Sequence, residues 1–401
     1  MKTVAVICEY NPFHLGHAFQ LAEIRRQFGE DAAIIAIMSG SFTQRGEPAI
    51  FGKDARARMA VEAGASLVLE LPFPYSAAGA EFFASGAVSI ANALGIVDVL
   101  SFGSESGNLD ALSLCAHRLA SPEFEAAALQ KAKEKGSALG TGALTPSVYG
   151  ALYGEEEASL FASPNNLLAL AYLKALQKTG SPILPHTILR KGDYHDDKGS
   201  SSGYASASYL RALISRGNIE EALLHMPSCI HSAVKEAWEN GNGAWHMEAF
   251  GSLLIGHFRL YPDPFASFAE AEGGLYRRIA KAARTATDYP SLIALATTKK
   301  YPAARVRRAA LFSLLGVSPA ALRRPVAYTQ ALAMDEKGQA LLGQIRKSAT
   351  IPVLTKPAAY KEYAAIKEAA ELSQRADALY TALTATPQAA DYFMKTAPYR
   401  K

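Results

Sequence analysis

Short apolar runs alternate with helical stretches over the first hundred residues, and this alternation most narrows what the chain can fold into. Thr3–Cys8, Ala32–Met38, Leu67–Leu71 and Val97–Phe102 read as strands. Between them, His17–Phe28, Lys53–Ala63 and Ala78–Leu94 carry apolar residues at helical spacing. Strands as apolar as these belong in a sheet covered on both faces, and their alternation with helices makes βαβ crossovers, hence a parallel sheet. In such a sheet ligands bind beyond the carboxyl ends of the strands. Here those ends are Glu9–His17, Ser39–Gly46, Pro72–Tyr75 and Gly103–Glu105. Further along, Asn165–Gln177 reads as a helix, the stretch up to Leu189 as a strand, and Lys191–Ser202 as a polar loop holding the Gly/Ser run Lys198–Gly203.

After about residue 220 the strand patterns fade, and Ile219–His225, Ala244–Ile255, Leu275–Thr285, Pro302–Leu315 and Tyr360–Thr381 read as helices. A length of 401 residues suits two or three domains. The expected organisation is an α/β domain with a parallel sheet over residues 1–220 and a mainly α-helical domain over 221–401. The net charge of +4 averages two unlike regions. Residues 274–401 hold 21 of the 41 Lys and Arg but 8 of the 37 Asp and Glu, a net of +13, which leaves −9 for residues 1–273. A basic last third suits a polyanionic partner, or is simply a solvated surface.

Cys8, Cys115 and Cys229 are far apart and form no CxxC pair, which argues against a disulfide framework and a cysteine-based zinc site. The first apolar run stops at Glu9, too short for a signal peptide, and no stretch approaches the ~20 apolar residues of a membrane span. The expected setting is the cytoplasm, without membrane contact.

The strongest local feature is Glu9-Tyr10-Asn11-Pro12-Phe13-His14-Leu15-Gly16-His17, directly after the first strand. Two histidines at i and i+3 of a helix start lie on one side, and Gly16 between them permits close backbone approach. Free amides at such a terminus favour an anion, and imidazole donors neutralise charge growing on a phosphoryl oxygen or on departing pyrophosphate. The same residues also suit a metal pair or two structural histidines. Lys53 and Arg56, one turn apart, face pyrophosphate or RNA, or else form a solvated pair. The Asp193–Asp197 cluster with His195 either helps to hold Mg²⁺ or caps a loop.

His14-Leu15-Gly16-His17 after the first strand resembles the HIGH motif of the nucleotidyltransferase superfamily. The resemblance sharpens over Glu9–His17, Met38–Ala49, Leu69–Pro72, Phe102–Glu105, Pro164–Asn166, Asp193–Asp196 and Arg305–Arg308. In this order these blocks are similar to the bacterial tRNA(Met) cytidine acetate ligase family. That resemblance implies a Rossmann-like, HIGH-type ATP-binding catalytic domain followed by a helical tRNA-binding one. It also implies a reaction in which acetate attacks the α-phosphate of ATP, giving acetyl-adenylate and pyrophosphate. The wobble cytidine of elongator tRNA(Met) then takes the acetyl group at N4, releasing AMP.

Carried onto this chain, the ATP-binding strand, loop and helix start are Ile7, Cys8, Glu9, Tyr10, Asn11, Pro12, Phe13, His14, Leu15, Gly16, His17, Ala18, Phe19 and Gln20. His14 and His17 are the catalytic pair facing the phosphates. Gly103 gives a tight approach to adenosine, Asn165 a polar contact and Arg190 a phosphate contact. Family members often show Arg, an apolar residue and Ser where this chain has Arg190-Lys191-Gly192, so only Arg190 receives a role. Ser206–Arg211 looks like a superfamily segment near the phosphates, or is an ordinary capped helix start. Magnesium is expected to arrive with ATP, keeping most of its waters, and no residue is assigned to it. Arg305, Arg307 and Arg308 are the expected RNA-binding residues. Val306, Ala310, Leu311, Leu314 and Leu315 face inward, Arg305 and Arg308 outward, and Tyr301 stacks on unpaired bases. The alternatives are a small-molecule adenylyltransferase, which keeps AMP in its product, and a tRNA-binding protein without catalysis.

Overall fold

A computed structural model of the chain describes residues 1–134, 141–190, 204–242 and 247–401, with the side chains of 141–143 set aside. The first half follows the βα alternation: β1 (Thr3–Cys8), α1 (Leu15–Phe28), β2 (Ala33–Ser39), α2 (Lys53–Glu62), β3 (Leu67–Leu71), α3 (Ala80–Leu94), β4 (Val99–Ser104) and β5 (Leu184–Leu189). These five strands are mutually parallel in the order β5-β4-β1-β2-β3. The chain passes from β1 to β2 and β3 on one side, then returns to place β4 on the other. The carboxyl ends of β1 and β4 therefore flank the point where strand order reverses, the usual ligand crevice of such a sheet.

Strand residues alternate between two covered faces. Ala5, Ile35, Ile37, Leu69 and Leu71 pack in one core with Phe83 and Val88 of α3. Val4, Val6, Ile34, Ala36 and Met38 pack in the other with Leu21 and Ile24 of α1 and Ala57 of α2. Full burial of a Val, Leu or Ile side chain contributes roughly 1.5–3 kcal/mol, so the register is strongly fixed. Among the described residues between β4 and β5 lie four helices that the sequence pattern does not show: Leu109–Leu119, Pro122–Glu134, Thr141–Tyr153 and the short Glu155–Ala158.

Beyond residue 220 the chain is mainly helical, as expected, but it also returns to the sheet. β6 (Thr329–Met334) pairs antiparallel with β3, and β7 (Val353–Leu354) and β8 (Tyr399–Arg400) pair parallel with β6. Thr-Gln-Ala-Leu-Ala-Met has one β-branched residue, so local preference gives little strand signal, and pairing with β3 supplies the rest. Nor does residue 220 divide the core. One apolar cluster holds Ile35 and Leu69 of the sheet together with Phe250, Leu292, Phe312 and Tyr380. The expected boundary is one of composition rather than of packing. The last long helix runs Lys367–Leu383, preceded by two 3₁₀ turns over Pro357–Glu362 and Ala364–Ile366, so helix at Tyr360 begins later than expected. Among the described residues, no helix is long and apolar enough to cross a membrane.

Candidate active site

The chain leaves β1 through Tyr10, whose φ of +45° is uncommon for a bulky residue. Its buried ring stands 4.7 Å from Phe13 and 4.9 Å, edge-on, from His17. His14 then caps α1. Its Nδ1 accepts the Gly16 N–H at 3.0 Å, while Nδ1 of His17 accepts the His14 N–H at 3.3 Å. The two histidines thus form a reciprocal capping box, a job usually done by Ser and Glu. Their rings stack at 3.8 Å and 25°. A Cβ on Gly16 would lie 2.9 Å from His14 Cε1, which is the local reason for a glycine between them.

This box fixes the tautomers. Each Nδ1 is an acceptor, so each neutral ring carries its proton on Nε2 and presents that N–H away from the helix. Burial, with the charges of Arg190 and Arg211 adding to it, pushes His14 down to about 3. Burial, then His14 and Arg190, hold His17 well below the ordinary value. Both rings are neutral near pH 7.

The expectation of free helix-start amides needs correction. The Leu15 N–H donates to His225 O at 3.0 Å, the Gly16 N–H to His14 Nδ1, and the His17 N–H to His14 O at 2.9 Å. What the turn offers an anion is imidazole Nε2–H, backed by two guanidinium groups. Arg190 follows β5. Arg211 lies in the Ala207–Ser215 helix, and its Nη1 donates to Asn11 O at 2.8 Å. Ser206 is the ordinary cap of that helix, its hydroxyl accepting the Tyr209 N–H at 3.1 Å.

Across the crevice, Gly103, Asn165 and Arg190 form one unit organised by Glu105. The Arg190 N–H donates to Ser104 O at 3.0 Å, and its Nη1 donates to Asn165 Oδ1 at 2.7 Å. Glu105 Oε1 accepts the Asn165 backbone N–H at 3.2 Å and Asn165 Nδ2 at 2.6 Å; its Oε2 accepts the Asn166 N–H at 2.8 Å. Asn166 Oδ1 in turn accepts the amides of Glu105 and Ser106 at 3.0 and 3.2 Å. A Cβ on Gly103 would meet Arg190 Cγ at 3.2 Å, so this glycine makes room for the arginine stem. The family resemblance implies for it only an approach to adenosine. Glu105 and Asn166 lie within the resembling blocks, but the sequence assigns them no role, because nothing local marks a carboxylate that acts 60 residues away.

Lys53 and Arg56 face neither phosphate nor solvent. Buried Arg56 donates to Glu9 O at 2.6 Å, Phe51 O at 2.9 Å, Ser39 O at 3.1 Å and Gly40 O, tying the ends of β1 and β2 together. Lys53 Nζ bridges both oxygens of Glu70 at 2.9 Å and Asp377 Oδ2 at 2.7 Å, and Asp377 Oδ1 accepts the Ser41 hydroxyl at 2.6 Å. Burial disfavours the Lys53 ammonium, but Asp377 and Glu70 outweigh it and hold its pKa above the ordinary value. Burial raises the Glu70 carboxyl, with Lys53 opposing. The loop over the site is bonded to the β1 turn as well: the Gln44 N–H donates to Glu9 Oε1 at 2.8 Å and the Ile50 N–H to Asn11 Oδ1 at 2.7 Å.

The arginines of the Ala303–Leu315 helix are also engaged. Arg308 forks onto Glu270 with two 2.8 Å bonds, Arg307 lies 3.3 Å from Glu47, and Arg305 donates to Glu270 O at 3.2 Å and approaches Glu272 at 3.8 Å. The outward-pointing Arg308 of the sequence reading is thus largely covered, because Glu270 lies against it. Tyr301 is buried, with its hydroxyl on Gly273 O and Arg305 over its ring, so it offers no face to a base. Among the described residues no group of three His, Cys, Asp or Glu converges as a metal site. Lys191, the Asp193–Asp197 cluster with His195 and the Lys198–Gly203 run lie outside the described residues.

Similarity to known proteins extends over most of the chain. The pattern of the HIGH Nucleotidyl Transferase family matches residues 1–393. A protein of Acetivibrio thermocellus named tRNA(Met) cytidine acetate ligase is 36% identical over 367 residues, covering 89% of this chain and 88% of its own. One of Bacillus licheniformis with the same name is 32% identical over 384 residues, covering 90% and 88%. The crystal structure of Thermotoga maritima TmcAL bound with alpha-thio ATP superposes with a TM-score of 0.91 at 29% identity over 100% of both chains. Its apo form gives 0.92. The chain belongs to the tRNA(Met) cytidine acetate ligase family of HIGH nucleotidyl transferases.

Proposed function

We propose that this chain is an ATP-dependent ligase that acetylates N4 of the wobble cytidine of elongator tRNA(Met), using acetate and ATP. The observation that carries the reading is the pair of stacked, neutral imidazoles beside Arg190 and Arg211 at the strand-order reversal. A polyphosphate is the ligand that two Nε2–H donors and two guanidinium groups serve together. In the first step the acetate carboxylate attacks the α-phosphorus and pyrophosphate leaves, giving acetyl-adenylate. In the second, the cytidine amine attacks the acetyl carbon and AMP leaves. His14 and His17 donate to the phosphoryl oxygens on which charge grows, from positions the capping box fixes in advance. Because the rings are neutral, they act as hydrogen-bond donors, while Arg190 and Arg211 supply the positive charge.

Magnesium enters this reading with the phosphates. Among the described residues, the carboxylates of Glu9 and Glu105 at this crevice are already engaged by backbone amides, so coordination by phosphate oxygens and water fits better than a protein cage. The ion would neutralise phosphate charge. We also infer a cytoplasmic setting, supported by the ATP and tRNA chemistry and by three free cysteines. The basic last third is proposed to hold the RNA backbone, with Arg305 and Arg307 as contacts and Arg308 supporting the helix from within.

The test uses the full chain with labelled acetate, ATP and a tRNA(Met) transcript. Label in cytidine, with equal AMP and pyrophosphate, is expected. No label despite confirmed tRNA binding rejects the ligase, and AMP retained in a product would favour an adenylyltransferase. His17→Ala should stop adenylate formation and spare tRNA affinity; Arg305→Ala with Arg307→Ala should do the reverse, with a flatter salt dependence of binding.

A further inference from the structure

We propose that Glu105 is a positioning residue for the nucleotide site: it occupies the amide end of the Pro164–Lys178 helix and, through the orientation of Asn165, aims Arg190 at the space beside His14 and His17. This rests on the ATP reading of that site.

The helix needs a foreign cap. It begins at Pro164, and Ser163 makes no capping hydrogen bond with its side chain. The first-turn amides of Asn165 and Asn166 would be open to an anion, and Glu105 takes both, one on each oxygen. Nucleotide phosphate is thereby excluded from this helix start and left to the imidazole and guanidinium donors opposite.

The second effect is on polarity. A carboxylate only accepts and a guanidinium only donates. Asn165 lies between them, with Nδ2 at 2.6 Å from Glu105 Oε1 and Oδ1 at 2.7 Å from Arg190 Nη1. Turning the amide over would set oxygen against carboxylate and NH₂ against guanidinium, two repulsions in place of two charge-assisted bonds. Glu105 therefore decides which atom of Asn165 Arg190 meets. The carboxylate is itself held: Asn166 Oδ1 bonds the amides of Glu105 and Ser106. Arg190 is fixed at three places, by its amide on Ser104 O, by its stem above Gly103 and by its head on Asn165. Removing the charge at Glu105 frees only the last of these.

The experiment is a double-mutant cycle on the full chain, read as acetate-dependent ATP–pyrophosphate exchange and as the Kd for ATP. Glu105→Gln places an NH₂ against one of the amides and removes the demand on Asn165. It should raise the KM and Kd for ATP about tenfold, with the KM for acetate unchanged. In an Arg190→Ala background the same change should cost less than about twofold, because its effect passes through Arg190. Asn165→Ala leaves Glu105 on the backbone amides; it should reproduce both results, and it serves if Glu105→Gln fails to fold. Full additivity of either change with Arg190→Ala, with ATP affinity intact in the unaltered chain, overturns the positioning role alone. Absence of ATP affinity in the unaltered chain overturns the nucleotide reading as well.

Discussion

Gly16→Ala separates the catalytic geometry from the stability of the helix that holds it. The added methyl would lie 2.9 Å from His14 Cε1 and 3.1 Å from Nδ1, where ordinary contact begins near 3.4 Å. The ring must therefore retreat by about half an ångström, or turn away from the Gly16 amide it caps. Losing the cap costs about 1 kcal/mol, and replacing Gly by Ala in a helix gains up to about 1 kcal/mol, so the two nearly cancel. The variant should melt close to the unaltered chain. A misplacement of about 1 Å costs on the order of 100-fold in rate, so half of that predicts roughly a tenfold loss of acetate-dependent ATP–pyrophosphate exchange. Gly343→Ala is the control: it lies in the Glu336–Ser348 helix, and its Cβ would meet nothing within 4 Å. That variant should keep full exchange and gain a little stability. A fully active Gly16→Ala protein would refute the claim that the histidine box sets the geometry.

Two further outcomes follow from buried charge. Lys53→Met leaves Glu70 and Asp377 facing each other without their cation and should cost about 3–5 kcal/mol in urea unfolding. Adding Glu70→Gln and Asp377→Asn should recover much of that loss; no recovery would mean that the ammonium matters for shape and not for charge. The histidine pair gives a pH signature. Because folding lowers the pKa of His14 to about 3 and depresses that of His17, the unfolded chain binds protons below pH ~6.5 that the folded chain refuses. The contribution is complete above that pH and fades as pH falls towards 3, by about 2 kcal/mol for His14 at pH 5. His14→Asn with His17→Asn should flatten this slope in urea melts taken from pH 7 to 5, and an unchanged slope would refute the assignment.

How much of this was legible in the sequence depends on the range of the interaction. Leu67–Leu71 and Thr3–Cys8 are legible at their observed bounds because a strand buried on both faces is apolar at nearly every position, with Thr3 and Glu70 as the exceptions. His14, Gly16 and His17 were legible because their geometry is local, i to i+3. The free helix-start amides were misread because one of their acceptors, His225 O, lies some two hundred residues away. Lys53 and Arg56 were misread for the same reason. Spacing shows that two cations share a helix face, but only the fold shows that the face looks at Glu70, Asp377 and four carbonyls. β6 was invisible because its strand character comes from β3.

Those long-range partners bear on whether residues 1–220 can act alone. The edge of β3 is covered by β6, Lys53 is neutralised by Asp377, Ser41 is held by Asp377, and Ala49 O accepts the Tyr380 hydroxyl at 3.0 Å. Glu47 of the same loop meets Tyr289 and Arg307. Every one of these contacts comes from beyond residue 220, and all fall on β3, α2 or the loop from Ser41 to Ala49, which is itself bonded to Glu9 and Asn11. A 1–220 fragment would expose an apolar strand edge and leave a buried lysine with one carboxylate. It should therefore lose adenylate formation and solubility together, although it contains every residue proposed to touch ATP. Expression of 1–220 beside the full chain, followed by ATP–pyrophosphate exchange, decides the matter. A soluble, exchange-active fragment would show that the C-terminal helices hold RNA and nothing else, whereas an inactive one makes them part of the frame on which His14 and His17 are set.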